Sequence, residues 1–277
     1  MHLRPTIQCP CGESNLIEAL HYEERPEGEV NFPFVGEYRR SYDCCETCGH
    51  YFSRHNLDMT SLYTADYVNA TYGGADGIAQ AFRRIVDLLP ERSDNHHRVL
   101  RVSQFAEQRF ANLEAGRKLI DIGSGLGVFV SGMKAIGWRC TALDTDERFS
   151  SHARNNLAVE TITCDFAEVS LSEKDKFHCV SLNKVLEHVE DPVGFLDKAK
   201  SLLAENGFIY VEVPDGEMAI RDSGFREEFF IDHHHVFSGE SLSIMARSAG
   251  MKILSMERLR EPSGKYTLFA FLTAARP

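Results

Sequence analysis

The chain has 277 residues, of which 43% are hydrophobic, and a formal net charge of −11. This length suffices for one large core, or for a medium domain with a small one, so a folded globular protein is expected. The acidic balance repels a phosphate backbone and argues against nucleic acid as a partner. No stretch has the roughly 20 apolar residues of a membrane-spanning helix, and the N-terminus lacks the apolar run of a secretory signal. We therefore expect a cytoplasmic protein that binds small molecules and no membrane.

The early cysteines form two knuckles that predict a structural zinc site. Cys9-Pro-Cys11-Gly and Cys45-Glu-Thr-Cys48-Gly offer four thiolates, which can close a tetrahedron around zinc and leave no open position. The first knuckle is one residue shorter than usual, and Cys44 is an alternative ligand to Cys45. A disulfide framework or free thiols are the competing interpretations. The three later cysteines lie in or beside apolar segments and are interpreted as small buried hydrophobes.

Residues 57–112 have a helical pattern. Apolar residues follow helical spacing from Ile78 to Leu89, Pro90 and a polar run interrupt them, and the pattern resumes from Val99 to Phe110. This predicts a helical connector or lid. The tyrosines of this region either line a substrate pocket or pack at a domain junction; they are Tyr63, Tyr67 and Tyr72.

From Lys118 onward, apolar strand-like runs alternate with helix-like segments, which predicts a parallel sheet covered on both faces. The predicted strands are LIDIG, CTALD, VETITC, HCVSLN and FIYVEV, followed by the closing runs MKILSMERL and YTLFAFLTA. Helices are predicted at 128–136, 147–157, 193–203 and 239–248. The fold class is therefore α/β: a Rossmann-like, seven-stranded, mostly parallel sheet with helices on both faces, plus a small N-terminal zinc-ribbon-like module.

A glycine-rich turn follows the first of these strands, in Asp121-Ile-Gly123-Ser124-Gly125-Leu-Gly127. A dinucleotide fingerprint has the spacing GxGxxG, whereas here the third glycine comes one residue earlier. This disfavours a nucleotide-dependent oxidoreductase. The turn is expected to border the ligand crevice at the carboxyl ends of the strands.

The pattern DxGxGxG resembles motif I of the class I S-adenosylmethionine-dependent methyltransferases. Asp144 at the end of the second strand, Asp165-Phe166 after the third, and the LEHV segment with its following DP are similar to the family in order and register. The resemblance implies ribose contacts for Asp144 and adenine contacts for Asp165 and Phe166. The cofactor-binding residues that it implies are Asp121, Gly123, Ser124, Gly125, Gly127, Asp144, Thr145, Asp165, Phe166, Asn183, Lys184 and His188.

The N-terminal knuckles, followed by YTADYVNATYG, resemble a bacterial subgroup of these enzymes that modifies sugars, glycans or secondary metabolites. The predicted domains are a zinc-binding module at 1–56, the connector at 57–112 and an S-adenosylmethionine-binding domain at 113–277. A degenerate, non-catalytic binding module is the alternative from another class, and a homo-oligomer is left open.

Candidate catalytic residues lie after the fifth strand, in a segment that resembles the family's HxHxFS. His233 is the first choice as general base and His235 the second, with Asp232 orienting the base. A shared metal ion is disfavoured because adjacent residues on a strand point to opposite faces. His188 is expected to shape the site, and the role of Glu187 stays open. We predict methyl transfer to a small polar acceptor, preferably at a hydroxyl oxygen, with carbon or nitrogen as alternatives.

Overall fold

The computed structural model describes residues 9–13, 15–31, 38–55, 71–110, 116–170, 172 and 175–275. Two sheets and seven α-helices make up these ranges. In the part of the chain that is described, no helix is long and apolar enough to cross a membrane.

The main sheet has seven strands, which are β4 (Lys118–Ile122), β5 (Arg139–Asp144), β6 (Glu160–Thr163), β7 (Phe177–Asn183), β8 (Leu203–Pro214), β10 (Met251–Arg260) and β11 (Tyr266–Ala274). Their order in the sheet is β10-β11-β8-β7-β4-β5-β6. Strands β8, β7, β4, β5 and β6 run parallel, while β11 is antiparallel to both β8 and β10. The predicted seven-stranded, mostly parallel sheet is confirmed.

Helices cover both faces of this sheet. They are α1 (Ala75–Val86), α2 (Asp94–Arg109), α3 (Val128–Ala135), α4 (Glu147–Leu157), α5 (Pro192–Lys200), α6 (Gly216–Asp222) and α7 (Gly239–Ser248). Successive side chains of a strand alternate between faces. Accordingly, Ile120 packs in the cluster under α5 and α7, whereas Leu119 packs in the cluster under α2, α3 and α4. The sheet is therefore buried on both sides.

The described part of the predicted connector packs against this core. Val102 and Ala106 of α2 are fully buried beside Leu119, and Ile78 of α1 packs against Phe149. Tyr72 contacts Phe149 edge to face, with ring centroids 5.8 Å apart. Tyr63 and Tyr67 lie outside the described residues.

A second, four-stranded sheet joins three strands from the N-terminal part of the chain to a strand from the segment between β8 and β10. Its order is β1-β2-β3-β9, from β1 (Leu16–Tyr22), β2 (Arg40–Cys45), β3 (Tyr51–His55) and β9 (His235–Val236). Tyr51 pairs with Val236, and Phe52 pairs with His235. The N-terminal sheet is thus completed by a strand from the segment in which the sequence predicts the catalytic residues.

Candidate active site

The glycine-rich turn connects β4 to α3 at the carboxyl edge of the main sheet. Gly123, Gly125 and Gly127 have φ angles of 67°, 50° and 72°, which side chains with a Cβ rarely adopt. A Cβ on Gly123 would lie 2.9 Å from a methyl carbon of Val185, while one on Gly125 would meet no atom within 4 Å. The turn therefore packs closely on one side and borders open space on the other.

Asp144, the last residue of β5, is tied to this turn. Its Oδ2 accepts a hydrogen bond from the Gly125 amide at 2.8 Å, and its Oδ1 accepts one from the Asp146 amide at 3.0 Å. Burial raises the pKa of the Asp144 carboxyl. The two backbone bonds hold both oxygens at the rim of the cavity described next.

A cavity of about 430 Å³ opens over the turn and Asp144. Its wall combines aromatic rings with a few carboxylates, a lysine and a histidine, as in many small-molecule sites. The lining residues are Tyr72, Ile122, Gly123, Gly125, Leu143, Asp144, Thr145, Asp146, Phe149, Asp165, Phe166, Lys184, Val185, His188, Val189, Phe195 and Asp232.

Eight of the twelve cofactor-binding residues inferred from the sequence line this cavity: Gly123, Gly125, Asp144, Thr145, Asp165, Phe166, Lys184 and His188. The other four do not appear in its wall. Asp121 is buried, and its Oδ1 accepts hydrogen bonds from Ser181 and Asn183 at 2.6 and 2.8 Å. Asp121 and Asn183 therefore bond to each other between β4 and β7, and burial raises the pKa of Asp121 to about 7.

Gly127 has a structural reason for being glycine. It is the N-cap of α3, and a Cβ there would lie 2.8 Å from Cδ1 of Leu157. Ser124 donates its amide to the carbonyl of Leu143 at 3.0 Å, which ties the turn to β5. Both residues shape the turn from outside the cavity.

Two histidines and a glutamate cluster at one end of the cavity. His188 donates from Nδ1 to the Asp232 carbonyl at 2.7 Å, and His233 donates from Nδ1 to the Glu228 carbonyl at 2.8 Å. The two rings meet edge to face, with centroids 4.9 Å apart. Glu187 is fully buried, and one ligand atom from each of these three side chains lies within 4.8 Å of the others. We call Glu187, His188 and His233 the histidine–glutamate cluster.

Two details of the predicted catalytic group need correction. His235 does not line the cavity: it is fully buried, and its Nδ1 lies 2.9 Å from Nε2 of His50, because β9 pairs with β3. Burial lowers the pKa of His235 to about 4. The acceptor on Nδ1 of His233 is the Glu228 carbonyl and not the carboxylate of Asp232.

The segment 228–238 is held by the N-terminal sheet and its flanking loop. Glu29 Oε2 accepts the Ile231 amide at 2.8 Å, and the Tyr42 hydroxyl lies 2.7 Å from the His233 carbonyl. Ser53 donates its amide to the His234 carbonyl at 3.0 Å. Glu29 also pairs with Arg40 at 2.8 Å, with both side chains almost fully buried, so loss of Glu29 would leave a buried charge without its ion-pair partner.

The four cysteines predicted as metal ligands converge. Sγ of Cys9 lies 3.3 Å from that of Cys48, and Sγ of Cys11 lies 3.6 Å from that of Cys45. Zinc–sulfur bonds of about 2.3 Å place tetrahedral sulfurs about 3.8 Å apart, so the spacing fits a zinc ion. Cys45, and not Cys44, belongs to the cluster. The carbonyl of Cys48 accepts a hydrogen bond from Ser238, the N-cap of α7.

Several cavity residues were not identified from the sequence. Phe149 and Phe195 lie on helices whose apolar positions predict core packing, and Val185 lies two residues after the end of β7. Tyr72, for which the sequence leaves pocket and junction open, lines the cavity and also packs on Phe149. Glu187 is not among the lining residues; its position beside His188 marks it in the sequence, but no sequence feature indicates its full burial.

Comparison with known proteins gives consistent results. A methyltransferase domain family matches residues 94–256, more than half of the chain. A ubiquinone biosynthesis O-methyltransferase of Actinobacillus pleuropneumoniae is 26% identical over 165 residues, covering 56% of this chain and 64% of that protein. The C-methyltransferase NovU of Streptomyces niveus is 23% identical over 290 residues, covering 99% of this chain and 62% of that protein. The chain thus spans under two thirds of the length of both relatives.

Solved structures show the same fold. Magnesium protoporphyrin IX methyltransferase of Synechocystis, determined with bound S-adenosylhomocysteine, superimposes with a TM-score of 0.57 at 17% identity, covering 79% of this chain and 100% of that one. A Burkholderia thailandensis N1-methyltransferase gives a TM-score of 0.53 at 16% identity, covering 90% and 100%. On the family match and the sheet order, the chain belongs to the methyltransferase domain family and has the class I fold.

Proposed function

We propose that this chain is an S-adenosylmethionine-dependent methyltransferase that acts on a small polar acceptor. The observation that carries the proposal is the cavity bounded by the left-handed glycine turn and the Asp144 carboxylate, at the carboxyl edge of the parallel strands. Family membership supports the same activity.

The residues present fit the cofactor. Open space beside Gly125 leaves room for a ligand against the backbone, and the buried Asp144 carboxylate can accept both ribose hydroxyls. Asp165 and the ring of Phe166, which packs 4.7 Å from that of Phe195, suit an adenine amino group and its ring face. Gly127 comes one residue earlier than the third glycine of the dinucleotide fingerprint, which disfavours a dinucleotide.

Bound S-adenosylmethionine supplies an electrophilic methyl carbon, so the protein has to align the acceptor, exclude water and receive a proton. The aromatic wall excludes water around the reacting groups. We assign acceptor activation to the histidine–glutamate cluster, because His188 lines the cavity and contacts His233. With Nδ1 of each ring donating to a carbonyl, the lone pair lies on Nε2, the form that can accept a proton.

For the acceptor we infer a sugar, glycan or secondary metabolite, with a hydroxyl oxygen as the preferred atom. Similarity to both an O-methyltransferase and a C-methyltransferase supports a small-molecule acceptor and leaves carbon in competition. The four-cysteine cluster is assigned to a structural zinc ion, because four thiolates leave no position for a substrate.

Calorimetry with S-adenosylhomocysteine and NAD tests the cofactor assignment. We expect binding of the first and none of the second; the reverse would establish a nucleotide enzyme. A screen of sugars and phenolic metabolites with S-adenosylmethionine, read by mass spectrometry, tests the activity. His188→Ala and His233→Ala should retain S-adenosylhomocysteine affinity and lose most turnover. Full turnover in both variants would remove the cluster from the reaction, and binding without transfer to any acceptor would favour the non-catalytic module.

A further inference from the structure

The carboxylate of Glu187 is buried beside His188 and His233 without a hydrogen bond, and proton transfer by the two histidines does not account for it. It lies in the short 3₁₀ turn Leu186–His188 after β7, is fully buried, and neither of its oxygens has a hydrogen-bond partner among the described residues. Burying a carboxylate without a partner is strongly unfavourable, and buried polar groups in native proteins are nearly always satisfied. Two free oxygens here point to a ligand.

The neighbouring histidines present nitrogen donors to the same point. One ligand atom each from Glu187, His188 and His233 lies within 4.8 Å of the other two. Both rings are fixed by an Nδ1 hydrogen bond to a backbone carbonyl, at 2.7 and 2.8 Å. Metal-bound histidines are typically oriented in this way, with the other nitrogen bound to a carbonyl or carboxylate.

We propose that Glu187, His188 and His233 bind a divalent transition-metal ion at the acceptor end of the cavity. Two imidazoles and a carboxylate suit zinc, manganese, iron(II) or cobalt, and three protein ligands leave positions open. Adjacent residues on one strand point to opposite faces, which disfavours an ion shared within residues 232–235 alone. This cluster instead takes its ligands from two segments, the turn after β7 and the loop before β9.

The site differs in chemistry from the cysteine cluster. Four thiolates favour a closed zinc site, whereas the histidine–glutamate cluster mixes nitrogen and oxygen donors and borders the cavity through His188. A cation with open positions there selects acceptors that carry a hydroxyl or carbonyl oxygen close to the methylated atom. It also lowers the pKa of a bound hydroxyl. This inference rests on the proposed function and refines it. With the ion bound, the Nε2 lone pairs of His188 and His233 hold the metal, so the ion activates the acceptor hydroxyl in place of a free imidazole, and the proton of that hydroxyl passes to solvent.

The test uses the full chain with its cysteine site loaded with zinc, and Co²⁺ as the probe. We expect one further equivalent of Co²⁺ to bind, with absorption bands that lack thiolate charge transfer, and the melting temperature to rise. Glu187→Gln and His233→Ala should each weaken this Co²⁺ binding by about tenfold or more and remove the rise. Glu190→Gln, which changes an exposed carboxylate three residues away, is the matched control and should bind Co²⁺ like the wild type.

A second readout needs no metal. Without Co²⁺, Glu187→Gln should be about as stable as the wild type, because the carboxylate accepts no hydrogen bond among the described residues and the variant loses only a Coulombic attraction to Lys184. Absence of a second equivalent, or equal Co²⁺ affinity in the wild type and both cluster variants, would overturn the metal site. If S-adenosylhomocysteine still binds and methyl transfer persists without the metal, only this inference fails. Co²⁺ binding without S-adenosylhomocysteine binding would instead overturn the proposed function.

Discussion

Asp144→Asn tests the cofactor cradle most directly, because the carboxylate is both buried and central to the turn. Each of its oxygens already accepts one backbone amide, from Gly125 and Asp146. A carboxylate oxygen can accept further hydrogen bonds, so the ribose hydroxyls would add to these contacts. Asparagine keeps one acceptor oxygen and replaces the other with an amino group that faces a donor.

The expected loss follows from that change. A hydrogen bond to a charged group contributes about 1.5–3 kcal/mol, and losing one weakens binding by about 10- to 150-fold. Calorimetry with S-adenosylhomocysteine measures this without turnover. Asp191→Asn is the matched control, since its side chain caps α5 through the Gly194 amide and does not line the cavity.

Thermal melting must accompany the calorimetry, so that a folding defect is not taken for lost affinity. If Asp144→Asn folds and binds S-adenosylhomocysteine as tightly as the control, the carboxylate does not contact the ribose and the cradle argument is refuted. A defect of equal size in both variants would refute it as well.

Three further predictions concern stability and positioning. Gly137→Ala adds a Cβ in open space and should lower the unfolding free energy by about 1–2 kcal/mol from backbone strain alone. Gly123→Ala should lower it further, because its Cβ would also clash with a methyl carbon of Val185. Equal denaturation midpoints for the two variants would contradict the close packing at Gly123. Burial raises the pKa of Asp121 to about 7 in the folded protein, against about 3.9 in the unfolded chain. The unfolding free energy of the wild type, measured relative to Asp121→Asn, should therefore fall as the pH rises from about 4 to about 7. A difference between the two proteins that does not change with pH in urea titrations would contradict this raised pKa. Glu29→Gln removes the carboxylate that pairs with the buried Arg40 guanidinium, so it should lower the unfolding free energy by about 3–5 kcal/mol. It should also reduce turnover, while the affinity for S-adenosylhomocysteine, measured by calorimetry, stays unchanged. Unaltered turnover would show that segment 228–238 does not depend on this contact.

The fold of the main sheet was predictable because its signals are local. Apolar runs of strand length, a glycine turn and a helix start each depend on a few neighbouring residues. The helix predicted at 193–203 is observed at Pro192–Lys200, with Asp191 as its N-cap. Eight of the 17 residues of the cavity wall followed from the same motifs, since strand ends of a parallel sheet meet at one edge. Phe149 and Phe195 escaped because an apolar residue on a helix looks the same whether it faces a core or a ligand.

The histidine segment was less predictable because its geometry depends on residues about 180 positions away. Sequence spacing alone cannot tell that β9 pairs with β3, and that pairing decides which histidine is buried. His235 is drawn into the N-terminal sheet beside His50, while His233 stays with His188 near the cavity.

The N-terminal sheet therefore connects the cysteine cluster to the acceptor end of the cavity. Cys48 accepts a hydrogen bond from Ser238, β3 pairs with β9, and Glu29 holds the Ile231 amide, so three contacts fix the segment that carries His233. The N-terminal sheet that carries Cys45 and Cys48 thus also positions His233 beside Glu187 and His188, which lie in the turn after β7. A zinc ion bound by the cysteines would therefore stabilise the segment that carries His233 without itself contacting the cavity, which gives a closed metal site a role in a chain whose proposed chemistry lies elsewhere.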